Sequence, residues 1–371
     1  MKQEQFISIF SNGLPWVSDV DYQSLYSFSA KHSVAAIVWD EVQAAIARGD
    51  IKPECQPSKV QKIQWALAAE QVEQKYARQK AVIEKLATFF AGHGIGMMIL
   101  KGYGLSLNYP VPHHRPCSDV DIWLFEERVA PDGHIERCSA QQKADRLLQE
   151  QFNIEIDKDK HHHTVFYLDG VMVENHYDFL NIHAHPSNRV IEARLQQLTQ
   201  QPMEQVAVGN AIVYLPSVDF HALFLLRHTA AHFAAERIVI RHLLDWRYFV
   251  EKYYGQIDWQ SLQNLAAQVN MNLSLDCLNA ICIDKLGLPS SCVPQFERNS
   301  RLEQRVWNEV LHPEFPEPKP VNVGYVRSWS YMFRRWWANR WKHRIVYNEG
   351  LATTFAVQLW SHLLKPKSLK L

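Results

Sequence analysis

The sequence lacks the features that define several protein classes. No C-x-x-C pair occurs among its six scattered cysteines, so neither a zinc knuckle nor a disulfide framework is expected. No segment approaches the roughly 18 apolar residues of a membrane span, and the first residues do not have the pattern of a signal peptide. Acidic and basic residues number 39 each, so there is no net positive charge to attract nucleic acid. These absences predict a cytoplasmic globular protein.

Two aspartates separated by one residue are the most informative feature that is present. Side chains alternate along a strand, so Asp119 and Asp121 share one face, while Val120, Ile122 and Leu124 point into a core. Neighbouring carboxylates repel each other, and a divalent cation removes that repulsion; Mg²⁺ is commonly bound by carboxylates together with substrate phosphates. The pattern therefore predicts a magnesium site and phosphate chemistry. The alternative is a solvated strand face.

The spacing of apolar residues divides the 371 residues into four regions. Residues 1–93 are predicted to be helical, with a long helix from Ser58 to Phe90, and residues 94–216 alternate short strands and helices. Residues 217–312 have helical spacing again, and residues 313–371 form a basic, Trp-rich helical tail. The sequence therefore predicts an α/β protein with helical regions on either side of its core.

Asp169-Gly170 lies between two β-rich segments and predicts a hairpin with a two-residue turn. In the register that such a turn imposes, Val165 faces Glu174 and His163 faces His176. One face of the hairpin then contains five polar or ionisable side chains, which are His161, His163, Glu174, His176 and Asp178.

The histidines of this face are open to three interpretations. They contact the acceptor or a phosphate near Glu174, they bind a transition metal such as zinc, or they are polar packing on a partly covered face.

A turn at Lys101-Gly102 follows a short buried strand and leads into a predicted short helix. Because the first N–H groups of a helix favour phosphate, Lys101 and Gly102 are predicted to bind phosphate. The alternative is an ordinary strand-to-helix turn. Arg115, shortly before the aspartates, is predicted either to clamp a phosphate or to form a structural ion pair.

His228 and His232 lie four residues apart, on one face of a predicted helix. Thr229 follows His228, so the His-Glu-x-x-His motif of metalloproteases is absent. The two histidines are predicted to be buried and hydrogen-bonded beside the sheet, or to line an acceptor pocket. Arg241 and Asp245 have the same spacing and predict an ion pair.

The segment 313–371 alternates arginine and lysine with tryptophan. A packed helix whose arginines extend outward is the main expectation. Peripheral contact with an anionic membrane surface, which would be the inner membrane of a bacterium, is a second interpretation. Stacking on single-stranded nucleic acid is a third, and nucleic acid is not expected as a partner.

Several of these segments together resemble the bacterial uncharacterised nucleotidyltransferase family of the DNA polymerase β-like superfamily. The resemblance covers roughly residues 80–250. It consists of Leu100-Lys101-Gly102, the loop with Arg115, Asp119-Val120-Asp121-Ile122, the Glu-x-His segment Val173-Glu174-Asn175-His176, His228-x-x-x-His232, and the run 241–245.

This resemblance implies a small mixed sheet flanked by helices and the transfer of a nucleoside monophosphate from an NTP. It implies that Asp119 and Asp121 bind two Mg²⁺ ions, for which Mn²⁺ is a substitute, and that Glu174 binds one of them. The superfamily usually has Gly-Ser where this chain has Lys101-Gly102. Phosphate contact would then come from backbone N–H groups and Lys101.

The sequence thus predicts an Mg²⁺-dependent nucleotidyltransferase that uses an NTP such as ATP and a hydroxyl of a small-molecule or glycan-related acceptor. A non-catalytic nucleotide-binding or regulatory module of the same fold is the alternative, because the Gly-Ser pair is missing. A zinc hydrolase built on the histidines is a third hypothesis.

Overall fold

The structure is a computed structural model that describes residues 8–10, 20–133, 135–158, 162–235, 237–318, 320 and 324–356. His161, predicted on the polar face of the hairpin, lies outside the described residues. Parts of the predicted regions 1–93 and 313–371 also lie outside them.

Three helices precede the first strand: α1 (Tyr22–Lys31), α2 (Ala35–Arg48) and α3 (Lys59–Ala91). The predicted long helix is confirmed as α3. Ser58 caps its N-terminus by accepting a hydrogen bond from the Gln61 N–H, while the Gln61 side chain accepts one from the Ser58 N–H. The capping box explains why a helix of 33 residues begins at this point.

The core of the protein is one mixed sheet of seven strands. Its order is β4-β5-β2-β1-β7-β6, with β3 paired to the second half of β2. The pairs β2–β5 and β1–β7 are parallel and the others are antiparallel. The predicted α/β class is confirmed. The strands are β1 (Gly96–Ile99), β2 (Val120–Val129), β3 (Ile135–Ser139), β4 (His163–Leu168), β5 (Val171–His176), β6 (Glu204–Val208) and β7 (Ala211–Leu215).

The later helices cover the sheet and extend beyond it. They are α4 (Tyr103–Ser106), α5 (Gln141–Phe152), α6 (Pro186–Leu198), α7 (Val218–Ala235), α8 (Ile240–Tyr253), α9 (Trp259–Gln268), α10 (Asn272–Leu286), α11 (Ser300–Leu311) and α12 (Tyr325–His343).

Both faces of the first part of β2, residues 120–125, are buried in two separate cores. Val120, Ile122 and Leu124 pack in a core that contains residues of α3 and α5, as the alternation predicted. Trp123 and Phe125 point the other way, into a larger core shared with α6 and α7. A polar side chain on this part of the strand cannot reach solvent, so Asp121 must find its hydrogen-bond partners within the protein.

The hairpin β4–β5 has the predicted register, with Val165 opposite Glu174 and His163 opposite His176. Its turn residues Asp169 and Gly170 both have positive φ, 50° and 77°, as a type I′ turn requires. Since a slip of one residue would turn every side chain to the other face, this turn determines the direction in which Glu174 points.

Helix α12 packs on α7 through Trp341, whose ring lies edge-on to Phe233 at 5.6 Å. Lys342 and Glu309 form a fully buried ion pair of 2.6 Å beside this contact. Phe333 and Trp337 of the same helix are about half exposed. None of the helices that the structure describes has both the length and the apolar character needed to cross a membrane.

We predict that Gly170→Val destabilises the protein by about 1–2 kcal/mol, because a β-branched residue is strained in the left-handed region. A Cβ at this position meets no atom within 4 Å, so the loss comes from backbone conformation alone. Gly170→Asn is the control, since asparagine tolerates this conformation. Urea unfolding measures both, and equal midpoints for the two variants would contradict the prediction.

Candidate active site

The end of β1 leads the chain directly to the acidic residues. The N–H of Leu100 donates to the carbonyl of Asp121 at 3.0 Å, which places Lys101 beside that aspartate. Gly102 then turns the chain with φ 58°, and a Cβ there would lie 3.3 Å from the Asp119 carbonyl. Only glycine satisfies both the positive φ and the close approach.

The parallel pairing of β2 and β5 brings carboxylates from two separate segments together. Asp121 lies directly opposite Glu174. One ligand atom from each of Asp121, Glu174 and His176 lies within 4.8 Å of the others. Asp119 comes one residue before β2, is half-buried, and accepts a hydrogen bond from the Ser118 hydroxyl at 2.7 Å. Asp121 and Glu174 therefore lie together with His176, whereas Asp119, which precedes the strand, does not belong to this set of ligand atoms.

Lys101 supplies the positive charge next to these carboxylates. Its Nζ lies 3.0 Å from Asp121 Oδ1 and 3.2 Å from His228 Nε2. Burial lowers the pKa of Lys101, but the three nearby acidic side chains outweigh it and raise the pKa overall. Burial likewise raises the pKa of Asp121, and the charge of Lys101 and the contact with His176 more than reverse this, so its pKa is well below the usual value. Asp121 is therefore ionised although it is fully buried.

The two histidines of the hairpin face the same carboxylates. His176 Nε2 lies 3.3 Å from Asp121 Oδ1 and 3.7 Å from Glu174 Oε2. His163 Nε2 lies 3.7 Å from Glu174 Oε1. Burial lowers the pKa of His176, and its contacts with the two carboxylates more than compensate and raise it. For His163, burial and the neighbouring His176 lower the pKa to about 4. Asp178, predicted on the same face, lies beyond the end of β5.

The acidic side chains have the properties of cation ligands. Asp121 Oδ2 is buried and has no hydrogen-bond partner among the residues that the structure describes. Burial and the charge of Asp121 raise the pKa of Asp119, which shows that the two carboxylates repel each other. Oxygen ligands of this kind suit Mg²⁺. Asp121 and Glu174 therefore fit a divalent cation.

A cavity of about 140 Å³ lies beside Asp119, between the sheet and the helices α7 and α8. Lys101 and Gly102 line it on the sheet side. His228, His232, Arg241 and His242 line it on the helical side. Basic and imidazole groups that face a small cavity favour an anion such as phosphate.

The predicted short helix after Gly102 contributes less to phosphate binding than the sequence suggests. α4 has only four residues, so its dipole is small. The N–H of Gly104 already donates to the Lys101 carbonyl at 3.1 Å. Phosphate contact therefore depends on the side chains around the cavity.

His228 and His232 share one face of α7, as their spacing predicted, and their Nε2 atoms are 3.2 Å apart. Burial, together with the charge of Lys101, holds the pKa of His228 well below its usual value. A neutral His228 ring accepts a hydrogen bond from the Lys101 ammonium, which fixes Lys101 between β2 and α7. His242 also lines the cavity, and the sequence analysis missed it because no fixed spacing links α8 to α7.

Arg115 forms the ion pair that was one of its two predicted roles. Its Nε and Nη2 donate to Asp245 Oδ1 and Oδ2 at 2.7 and 2.8 Å, and both side chains are buried. The Tyr109 hydroxyl donates to the same Oδ1 at 2.7 Å. The predicted pair of Arg241 with Asp245 needs correction: Asp245 bonds to Arg115, and Arg241 donates to the Pro116 carbonyl at 3.3 Å. The loop before β2 is thus attached to α8.

We predict that Asp245→Asn lowers the stability by roughly 3–5 kcal/mol, because it leaves the Arg115 guanidinium buried and uncompensated. Burial raises the pKa of Asp245, but Arg115 more than reverses this and lowers it. The wild-type advantage should therefore be complete above about pH 4 and shrink as the pH falls further. Urea unfolding at several pH values measures this. The double variant Arg115→Met/Asp245→Leu should lose less than the single variant; a larger loss would exclude the charge explanation.

The chain is similar to known proteins in sequence and in structure. Residues 18–284 match the model of a family described as an uncharacterised nucleotidyltransferase. One similar solved structure is an antigenic nucleotidyltransferase-like protein from Paracoccidioides brasiliensis, at 16% identity over 56% of this chain and 93% of that chain, with a TM-score of 0.33. No conclusion rests on so low a TM-score. A search of curated proteins found no match.

Proposed function

We propose that this chain, which belongs to the uncharacterised nucleotidyltransferase family, is an Mg²⁺-dependent enzyme. It would transfer a nucleoside monophosphate from an NTP to a hydroxyl of a small-molecule or glycan-related acceptor. The observation that supports this most is the position of Asp121 opposite Glu174 on parallel strands, with Asp119 one residue before β2.

The side chains of the site have complementary tasks. Asp119, Asp121 and Glu174 would hold two divalent cations, which supply charge neutralisation for a displacement at phosphorus. Lys101 and Arg241, on opposite sides of the cavity, would bind the phosphates of the NTP. Catalysis of this kind consists mostly of positioning and neutralisation of charge.

The proposed transfer is a single displacement at phosphorus. The acceptor oxygen attacks the α-phosphorus, a new P–O bond forms, and the bond to the β-phosphate bridging oxygen breaks, which releases pyrophosphate. Glu174, whose carboxylate is partly accessible, is the base for the hydroxyl proton. Asp121 cannot serve as that base, because Lys101 and His176 hold its pKa well below the usual value.

We expect Asp121→Asn to lower nucleotidyl transfer at least about a hundredfold, since it removes the charge on which cation binding depends. Transfer is measured with labelled NTP and a panel of hydroxyl acceptors, in the presence and absence of Mg²⁺. Asp169→Asn is the matched control, because Asp169 lies at the far end of the same hairpin and is exposed. Full activity in Asp121→Asn would overturn the assignment.

Arg241→Ala should weaken NTP binding about tenfold, the effect of losing one charge-assisted hydrogen bond. Titration calorimetry with a non-hydrolysable NTP and Mg²⁺ measures the affinity. The control is Lys252→Ala, on the same helix α8, whose Nζ contacts Asn108 at 3.2 Å outside this cavity. Equal affinities of the two variants would show that the phosphates bind elsewhere.

A non-catalytic nucleotide-binding module is the second candidate, and one contact favours it. The Lys101 ammonium lies 3.0 Å from Asp121 Oδ1 and already neutralises part of its charge. Such a module would bind NTP in the calorimeter and show no transfer to any acceptor, whereas the enzyme would do both.

Peripheral membrane contact through residues 313–371 remains part of the proposal. The half-exposed Phe333 and Trp337, with the Arg340 guanidinium 4.5 Å from the Trp337 ring centre, are the groups that would meet an anionic surface.

A further inference from the structure

Among the described residues, histidine nitrogens lie next to Glu174 and not next to Asp119. Within the described residues, the Asp119 carboxylate bonds to the Ser118 hydroxyl and to no imidazole. Glu174 lies between His163 and His176, with a separation of 3.7 Å to each ring. The two ends of the acidic cluster therefore differ in chemistry.

The distances on the histidine side are close to those between ligands of a shared ion. Two ligands at about 2.1 Å from a tetrahedral zinc ion are about 3.3–3.4 Å apart. His176 Nε2 is 3.3 Å from Asp121 Oδ1, and its distance to Glu174 Oε2 is 3.7 Å. A shift of a few tenths of an ångström would thus suffice to bring these atoms to one ion.

The orientation of His176 is typical of a metal ligand. Its Nδ1 donates to the Asp178 carbonyl at 3.2 Å, which leaves Nε2 facing the carboxylates. Metal-binding histidines almost always have their second nitrogen held in this way.

His163 adds an independent observation. Its Nδ1 is buried and has no hydrogen-bond partner within the part of the chain that the structure describes. Ligand atoms of His162, His163 and His176 also lie within 4.8 Å of one another. The unpartnered Nδ1 of His163 is the kind of buried polar atom that a nearby bound ion explains.

We infer that the site has an imidazole-containing metal position, formed by Asp121, Glu174 and His176 with His163 beside them, that takes a transition-metal ion such as Zn²⁺ in preference to Mg²⁺. Imidazole suits zinc and its neighbours, whereas Mg²⁺ demands oxygen ligands and keeps its waters. The oxygen-only position at Asp119 and Asp121 is left for Mg²⁺. The inference extends the proposed function by naming a second metal, and the metal binding can be tested without any assay of transfer.

A second cluster on the surface is the main competitor for such an ion. Ligand atoms of Glu73, His113 and His114 lie within 4.8 Å of one another. However, His114 already bonds to Asp40 at 2.7 Å and to Glu73 at 2.8 Å. Both of its ring nitrogens are thus used in ion pairs.

The test titrates full-length, chelator-treated protein with Co²⁺ and records the visible absorption that nitrogen and oxygen ligands produce. We expect a tightly bound Co²⁺ that one equivalent of Zn²⁺ displaces and a large excess of Mg²⁺ does not. His163→Ala should weaken Co²⁺ binding at least about tenfold. His113→Ala, the matched variant in the surface cluster, should bind Co²⁺ as the wild type does.

Circular dichroism establishes that each variant is folded, and Glu174→Gln, which keeps the size of the side chain, is the second variant if His163→Ala does not fold. Displacement of Co²⁺ by Mg²⁺, loss of the signal in His113→Ala, or unchanged binding in both site variants would overturn the inference. Absence of transfer activity in wild-type protein would instead contradict the proposed function and leave the result of the Co²⁺ titration standing.

Discussion

The site depends on one constraint, which is the burial of an ionised aspartate in a strand that is covered on both faces. Asp121 is completely buried; it shares its face of β2 with Trp123, while Val120 and Ile122 pack on the opposite face. An isolated carboxylate in such a place would be neutralised or would destabilise the fold by several kcal/mol. The Lys101 ammonium prevents this by donating to Asp121, and His176 Nε2 lies 3.3 Å from the same oxygen.

This constraint links distant parts of the chain. The partner lysine arrives because β1 pairs with β2, and the partner histidine arrives because β5 pairs with β2 on the other side. Helix α7 then supports the lysine through His228. The Arg115–Asp245 pair attaches the preceding loop to α8, so the charges of the site are held by the sheet and by the helices that follow it.

Local rules were sufficient for the features that depend on neighbouring residues. Strand alternation predicted the core side of Val120 and Ile122, and the Asp169-Gly170 turn predicted the facing of Glu174 and His176, because register follows from turn length. Contacts between separate helices were beyond such rules. The pairing of Asp245 with Arg115 rather than Arg241 depends on how a loop and α8 approach each other, and helical spacing has no information on that. The same holds for His242 in the cavity.

The contact of Lys101 with Asp121 does not exclude a cation at the same carboxylate. Lys101 and His176 both approach Oδ1, whereas Oδ2 has no hydrogen-bond partner among the described residues. A carboxylate has about four lone-pair positions, two on each oxygen. One oxygen can therefore keep its ammonium neighbour while the other binds an ion. In this arrangement Lys101 maintains the charge balance of a buried ligand, and its contact with Asp121 does not by itself imply the loss of metal binding.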